Sequence, residues 1–223
     1  MSIRENYEKL RREVPDHVTI VAAAKTRTAK EIAEAIEAGI TDVGENYVQE
    51  AERVYKELGE RAKQVRWHMI GHLQVNKINK ALQIFDVVQT VDSYERAQAI
   101  ELRAARMEKV IPVLVEINVG GELSKSGLQP DKELVEHLVR EISKMSHLRF
   151  EGIMTMGPLF EDPELIRPYY IQTREIYNAI KSLTIEGIHF NTLSMGMSDS
   201  YRVALEEGST MIRVGTVLFG PRH

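Results

Sequence analysis

Short apolar runs alternate with longer amphipathic stretches from one end of the chain to the other. The first run, Val18-Thr19-Ile20-Val21-Ala22-Ala23-Ala24, carries no formal charge and is rich in Val and Ile at its front. That composition predicts a strand buried on both faces. Further strands are predicted at 42–46, 66–71, 87–91, 111–119, 150–156, 192–197 and 211–219. Between them, apolar positions at helical spacing predict helices near 29–38, 47–58, 75–82, 94–108, 131–146, 163–182 and 199–207, and one near 2–13 precedes the first strand. Thr28-x-x-Glu31, Asn46-x-x-Gln49 and Asp92-x-x-Glu95 have the form of capping boxes. Asp162-Pro163 offers a cap followed by proline at the first helical position.

Eight strands alternating with helices, without a long linker or a break in composition, predict an α/β fold. The expected architecture is one (β/α)8 TIM barrel over residues 1–223, with an extra N-terminal helix. An open doubly wound sheet is the competitor, but it usually has fewer strands and a glycine-rich first turn. Neither G-x-G-x-x-G after the first strand nor G-x-x-x-x-G-K-S/T anywhere is present. The last predicted strand runs almost to the C-terminus and leaves no room for an eighth following helix. The N-terminal helix is expected to fill that gap beside the first strand.

Composition narrows the function. A length of 223 residues is ample for a substantial core, and the net charge of −4 with scattered basic residues does not suggest nucleic acid. There are no cysteines, which excludes disulfides, thiolate metal sites and a cysteine nucleophile. No apolar stretch approaches about 18 residues, so no membrane association is expected. The segment Met1-Ser2-Ile3-Arg4-Glu5-Asn6-Tyr7 is charged from the start and lacks the apolar core of a signal peptide, so the expected location is the cytoplasm.

Barrels of this kind carry their chemistry at the C-terminal ends of the strands. This sequence places Lys25, Asn46, His68, Asn118, Thr155, Ser194, Ser198 and Arg213 there. A lysine at a strand end can be partly desolvated, and desolvation favours the neutral amine that attacks aldehydes. The plain alternative is a surface lysine closing a strand. The set lacks two carboxylates facing a gap, and Gly71 separates His68 from His72, so neither a glycosidase site nor a metal site is expected. On the last strand, Ile212-Arg213-Val214-Gly215-Thr216 offers backbone amides and a hydroxyl, and Met195-Gly196-Met197-Ser198-Asp199-Ser200 offers a second small polar turn. Both suit an anion on the last two strands, where barrels often hold phosphate. A lysine facing such a site suggests pyridoxal 5′-phosphate (PLP), whose aldehyde and phosphate need those two partners.

Several collinear blocks carry a family resemblance. They are Ala22-Ala23-Ala24-Lys25-Thr26, Gly44-Glu45-Asn46-Tyr47-Val48-Gln49-Glu50 and Trp67-His68-Met69-Ile70-Gly71-His72-Leu73-Gln74-Val75-Asn76-Lys77. Gly152-Ile153-Met154-Thr155-Met156, Leu193-Ser194-Met195-Gly196-Met197-Ser198-Asp199 and Ile212-Arg213-Val214-Gly215-Thr216 follow, the last leading to Phe219-Gly220. Over nearly its whole length the chain resembles the PLP homeostasis proteins, single-domain relatives of the alanine racemase N-terminal barrel. The resemblance implies that Lys25 forms the internal aldimine with PLP, and that Ser198, Gly215 and Thr216 hold the phosphate. It also implies that Arg213 faces the pyridine nitrogen, while Asn46 and His68 line the pocket. Met154 and Met195 are the methionines expected against the PLP ring, and the short 156–162 loop is expected to leave the cofactor open.

A donor-only arginine leaves the pyridine nitrogen unprotonated, which makes the ring a poor electron sink. Racemisation also needs acid–base groups on both faces, and no tyrosine is placed in sequence to supply the second. The expected role is therefore holding, buffering or delivering PLP in the cell, with PLP-dependent apo-enzymes as recipients and the protein acting as a monomer. A weak PLP-dependent amino-acid racemase and a lysine Schiff-base aldolase are the alternatives. Tyr169, Tyr170 and Tyr177 are read as packing residues, and Asp86 and Asp92 as caps.

Overall fold

Strands that are apolar on both faces need a partner on each edge and a cover on each side, and a closed barrel wrapped in helices supplies both. The computed structural model describes residues 2–122 and 126–221. Among these, β1 (Thr19–Ala23), β2 (Asp42–Glu45), β3 (Arg66–Met69), β4 (Val87–Val91), β5 (Ile111–Ile117), β6 (Leu148–Thr155), β7 (Thr192–Ser194) and β8 (Met211–Val214) close in chain order. Every neighbouring pair is parallel, and Val21 of β1 lies beside Asp42 of β2 on one side and Arg213 of β8 on the other. The fold is a (β/α)8 barrel. Between and around the strands run α1 (Ile3–Glu13), α2 (Ala29–Ala38), α3 (Val48–Leu58), α4 (Ile78–Ala81), α5 (Tyr94–Arg106), α6 (Lys132–Ile142), α7 (Arg167–Lys181), α8 (Tyr201–Glu206) and α9 (Thr216–Phe219).

Alternation along the strands sorts side chains into two layers. Ile20, Ala22, Val43, Val88, Val113, Val115, Leu193, Ile212 and Val214 join the apolar layer between the barrel and its helices. The intervening residues face the lumen. Gln89 of β4 bonds Ser194 of β7 and Met211 of β8, which is possible only across the barrel interior. Gly44 also faces inward, where Val21 and Ile70 fill the space a Cβ would need.

The N-terminal helix closes the outer ring where expected. Ser2 and Glu5 form its capping box, and Ile3 and Leu10 are buried. Asn6 donates to the Leu218 carbonyl of α9 at 2.9 Å, and the Tyr7 hydroxyl donates to the Gly39 carbonyl beyond α2 at 3.0 Å. Gly39 is left-handed (φ 119°), and its missing side chain makes room for the Tyr7 ring.

Other expectations need correction. The last strand stops at Val214 rather than Phe219, and Thr216–Phe219 forms a short following helix. The turn is fixed at Gly215, whose amide donates to the Ser198 hydroxyl instead of continuing the sheet. The Thr28–Glu31 capping box forms, but the one at Asn46 does not, because α3 begins after Tyr47 without a side-chain cap. Ser93, not Asp92, caps α5, and Asp92 pairs with Arg96 at 2.8 Å. Asp86 accepts from the Trp67 amide of the neighbouring strand. Asp162 does cap the turn at Pro163.

Gly152 of β6 is the tightest crossing point of the sheet. A Cβ there would sit 1.8 Å from the Thr192 carbonyl oxygen of β7, and the β5 register shifts beside it. Gly152→Ala is therefore expected to lower the urea unfolding midpoint, at a cost of about 3 kcal/mol from overpacking against fixed backbone.

Candidate functional site

Lys25 follows β1 by two residues and is half-buried at the C-terminal mouth of the barrel. The next residue, Thr26, is β-branched yet takes a left-handed conformation (φ 67°), a sterically costly turn. Its amide donates to the Glu50 carboxylate at 3.3 Å, which helps hold that turn. The Lys25 ammonium stands 5.2 Å from the centre of the Tyr47 ring, and Tyr47 itself is half-exposed. A cation on an aromatic face keeps a defined position without a carboxylate beside it.

Across the mouth, the turns after β7 and β8 meet. Ser198 Oγ accepts from the amides of Gly215 at 3.0 Å and Val217 at 3.3 Å. Among the described residues its own proton has no acceptor, so it can donate into the open space in front of it. That space is a cleft of 600 Å³ lined by Ala23, Leu159, Met197, Ser198, Asp199, Arg213, Gly215, Thr216 and Val217. Its size suits a small-molecule ligand. Leu159 enters from the short 156–162 loop, and the cleft lies open beside it.

Arg213 forms the floor. It is almost wholly buried, and donates to Ser194 Oγ at 2.6 Å and to the Thr155 carbonyl at 2.7 Å. Burial brings it down to about 10, so it stays a cation at neutral pH. Glu116 of β5 shares this region. Burial raises its carboxyl to about 7, with the Ser126 hydroxyl and the charge of Arg213 pulling the other way.

Ser198, Arg213, Gly215 and Thr216 thus line one cleft; Lys25 is not among its walls, but it follows the wall residue Ala23 by two positions at the end of β1. Asn46, His68 and Met195 are not among the cleft's walls. The backbone of Asn46 packs on Gly71, where a Cβ would lie 2.4 Å from its carbonyl oxygen. His68 is fully buried deeper in the lumen, with Nε2 2.8 Å from Asp42 and Nδ1 2.9 Å from Gln89. Met195 follows the inward-facing Ser194, and alternation turns it into the core layer between barrel and helices. Met154 remains a lumen residue, buried but outside that outer layer. Tyr170 is buried and bonds Ser200 at 2.9 Å, and Tyr177 packs edge-on against Phe190.

Sequence reasoning missed Tyr47, Gln89, Glu116 and Glu45. Gln89 and Glu116 carried a usable signal: each is a polar residue inside a run read as buried on both faces, so each needs an interior partner. Among the described residues no group of acidic or histidine side chains could hold a metal, and no helix is long and apolar enough to cross a membrane.

Comparison with known proteins adds a family. The model of the alanine racemase N-terminal domain matches residues 1–223. A pyridoxal phosphate homeostasis protein of Aquifex aeolicus is 36% identical over 205 residues, covering 91% of this chain and 86% of that one. Its namesake in Escherichia coli K12 is 36% identical over 211 residues, covering 93% and 87%. Among solved structures, PipY of Synechococcus elongatus with PLP bound superposes with a TM-score of 0.88 at 30% identity, covering 98% of this chain and all of that one. An alanine racemase of Clostridium difficile shares the barrel alone, with a TM-score of 0.77 at 16% identity.

Glu45, beneath the mouth, is buried with Oε2 unpartnered among the described residues. Burial, reinforced by the charge of Glu50, raises it from 4.5 to about 8. The folded state therefore keeps a proton that the unfolded chain releases, so this contribution to stability is full below pH 4.5 and is lost as pH rises toward about 8. Glu45→Gln removes the dependence. Its melting temperature is expected to exceed that of the parent at about pH 8.5 and to match it near pH 5, by thermal denaturation at both.

Proposed function

Because this chain belongs to the alanine racemase N-terminal domain family, among its pyridoxal phosphate homeostasis proteins, we propose that it binds PLP as a Schiff base at Lys25 and holds it for buffering or delivery. One observation carries this reading. Hydrogen-bonding groups of the β7 and β8 turns and a buried cation line one cleft of suitable size, and a strand-end lysine follows its Ala23 wall by two residues.

The residues fit the ligand's chemistry. Bound PLP supplies an aldehyde that an uncharged amine captures reversibly, and a phosphate that needs hydrogen-bond donors. Lys25 supplies the amine, set at the mouth by the strained turn at Thr26 and by the Tyr47 ring. Ser198, Gly215 and Thr216 would hold the phosphate, with the free Ser198 hydroxyl proton available to donate to it. Arg213 would face the pyridine nitrogen. As a permanent donor it keeps a proton off that nitrogen, so the ring is a weak electron sink. Weak electron withdrawal and a reversible linkage suit a protein that holds and releases the cofactor, with a recipient enzyme's lysine competing for the same aldehyde.

Borohydride reduction of the PLP-treated protein followed by peptide mass mapping tests the reading. The expected result is one modified site, Lys25, and a visible absorption band that Lys25→Ala lacks. Ser198→Ala and Thr216→Val are each expected to weaken retention of PLP by about tenfold, the usual worth of a hydrogen bond to a charged group. Label spread evenly over surface lysines, or a band unchanged in Lys25→Ala, overturns the proposal. Rapid turnover of the loaded protein in an amino-acid racemisation assay replaces holding with catalysis.

A further inference from the structure

We propose that Asp42, His68, Gln89 and Ser194 form a one-way hydrogen-bonded chain through the barrel lumen that fixes Arg213 in place, making them positioning residues for the cofactor's ring rather than ligands of it. The part of this that concerns the ring rests on the PLP reading above.

Direction follows from donor chemistry. A guanidinium only donates, so Arg213 Nη1 gives its hydrogen to Ser194 Oγ at 2.6 Å. The Ser194 proton is then left for Gln89 Oε1, which only accepts, at 2.8 Å. That sets the Gln89 amide, whose nitrogen must donate to His68 Nδ1 at 2.9 Å. The same nitrogen reaches Met211 Sδ at 3.2 Å, a weak acceptor that favours the same orientation. With Nδ1 accepting, the His68 hydrogen sits on Nε2 and points to Asp42 Oδ1 at 2.8 Å. Thr41 donates to the other Asp42 oxygen at 2.7 Å. Reversing the Gln89 amide would leave the Ser194 proton without an acceptor and set an oxygen against His68 Nδ1. One arrangement satisfies every member.

The ends of the chain are opposite charges. Asp42 accepts from His68 at one oxygen and from Thr41 at the other, two hydrogen bonds that favour its carboxylate form against the pull of burial. Arg213 is the cation at the other end, and the four links between them run head to tail so that their dipoles add. The lumen did not need polar filling: Val21, Ile70, Leu114 and Met154 occupy other parts of it. The polar members instead run from β2 through β3, β4 and β7 to Arg213 under the cleft.

Nuclear magnetic resonance of the cofactor-free protein tests the chain without PLP. His68 is expected as the neutral Nε2–H tautomer, and Arg213 is expected to show separate, slowly exchanging Nη signals. Gln89→Met cuts the chain at its centre and should average the Arg213 signals. Gln89→Glu can still accept from Ser194 but cannot donate to His68, so His68 should gain a hydrogen on Nδ1 while keeping the one on Nε2 for Asp42, a change that loss of packing alone would not produce. Should Gln89→Met not fold, Ser194→Ala makes the neighbouring break. Unchanged Arg213 signals in folded Gln89→Met or Ser194→Ala, or a His68 Nδ1 still without a hydrogen in Gln89→Glu, overturn the chain. With PLP loaded, Gln89→Met should keep attachment at Lys25, shift the visible band and release PLP about tenfold faster. Altered Arg213 signals with an unaltered band overturn the link to the ring. A parent protein that takes up no PLP contradicts the functional reading and that link together, and the cofactor-free signals then decide the chain by themselves.

Discussion

A guanidinium buried inside the barrel, at Arg213, sets the terms for the residues around it. Taking such a charge out of water costs several kcal/mol unless its hydrogens are met. The Ser194 hydroxyl and the Thr155 carbonyl meet two of them, and Glu116 adds a carboxyl in the same region. The Thr155 carbonyl is available because β6 ends there, and the Thr155 hydroxyl turns back to the Ile117 carbonyl of β5 at 2.7 Å. The lumen is therefore divided. Its polar part runs from β2 round to β8, while aliphatic side chains fill the remainder.

The mouth above this floor is built from turns whose groups are taken up by one another. Ser198 gathers two amides from the β8 turn, which ties the loops after β7 and β8 to each other. Opposite them, Thr26 holds a conformation that its branched side chain disfavours, with Glu50 on its amide. Strain of this kind persists only where neighbouring structure imposes it. Here it falls on the residue directly after Lys25, at the β1 side of the mouth. The barrel thus presents a fixed cation below, hydrogen-bond donors on one rim and an amine on the other.

Much of this was legible in the sequence because the signals are local. Lys25 closes an apolar run, Gly215 and Thr216 lie on the last one, and eight such runs separated by helical spacing specify the barrel. The interior was not legible. A strand buried on both faces gives no alternation to tell lumen from outer layer, so His68 and Met195 were both placed at the pocket. One lies deeper in the lumen and the other in the outer core. Gln89 and Ser194 are 105 residues apart in sequence, and nothing short of closing the barrel brings them together. Tyr47 was read as part of a helix, but it is the residue before α3 and so stands at the strand end beside Lys25.

The central claim is that one cleft holds PLP by three separate contacts, and a crystal structure of the PLP-loaded protein tests it most directly. The expected result is continuous density from Lys25 Nζ to the cofactor, the phosphate against Ser198, Gly215 and Thr216, and the ring nitrogen facing Arg213. PLP on any other lysine, or bound with its phosphate away from the β7 and β8 turns, would contradict it.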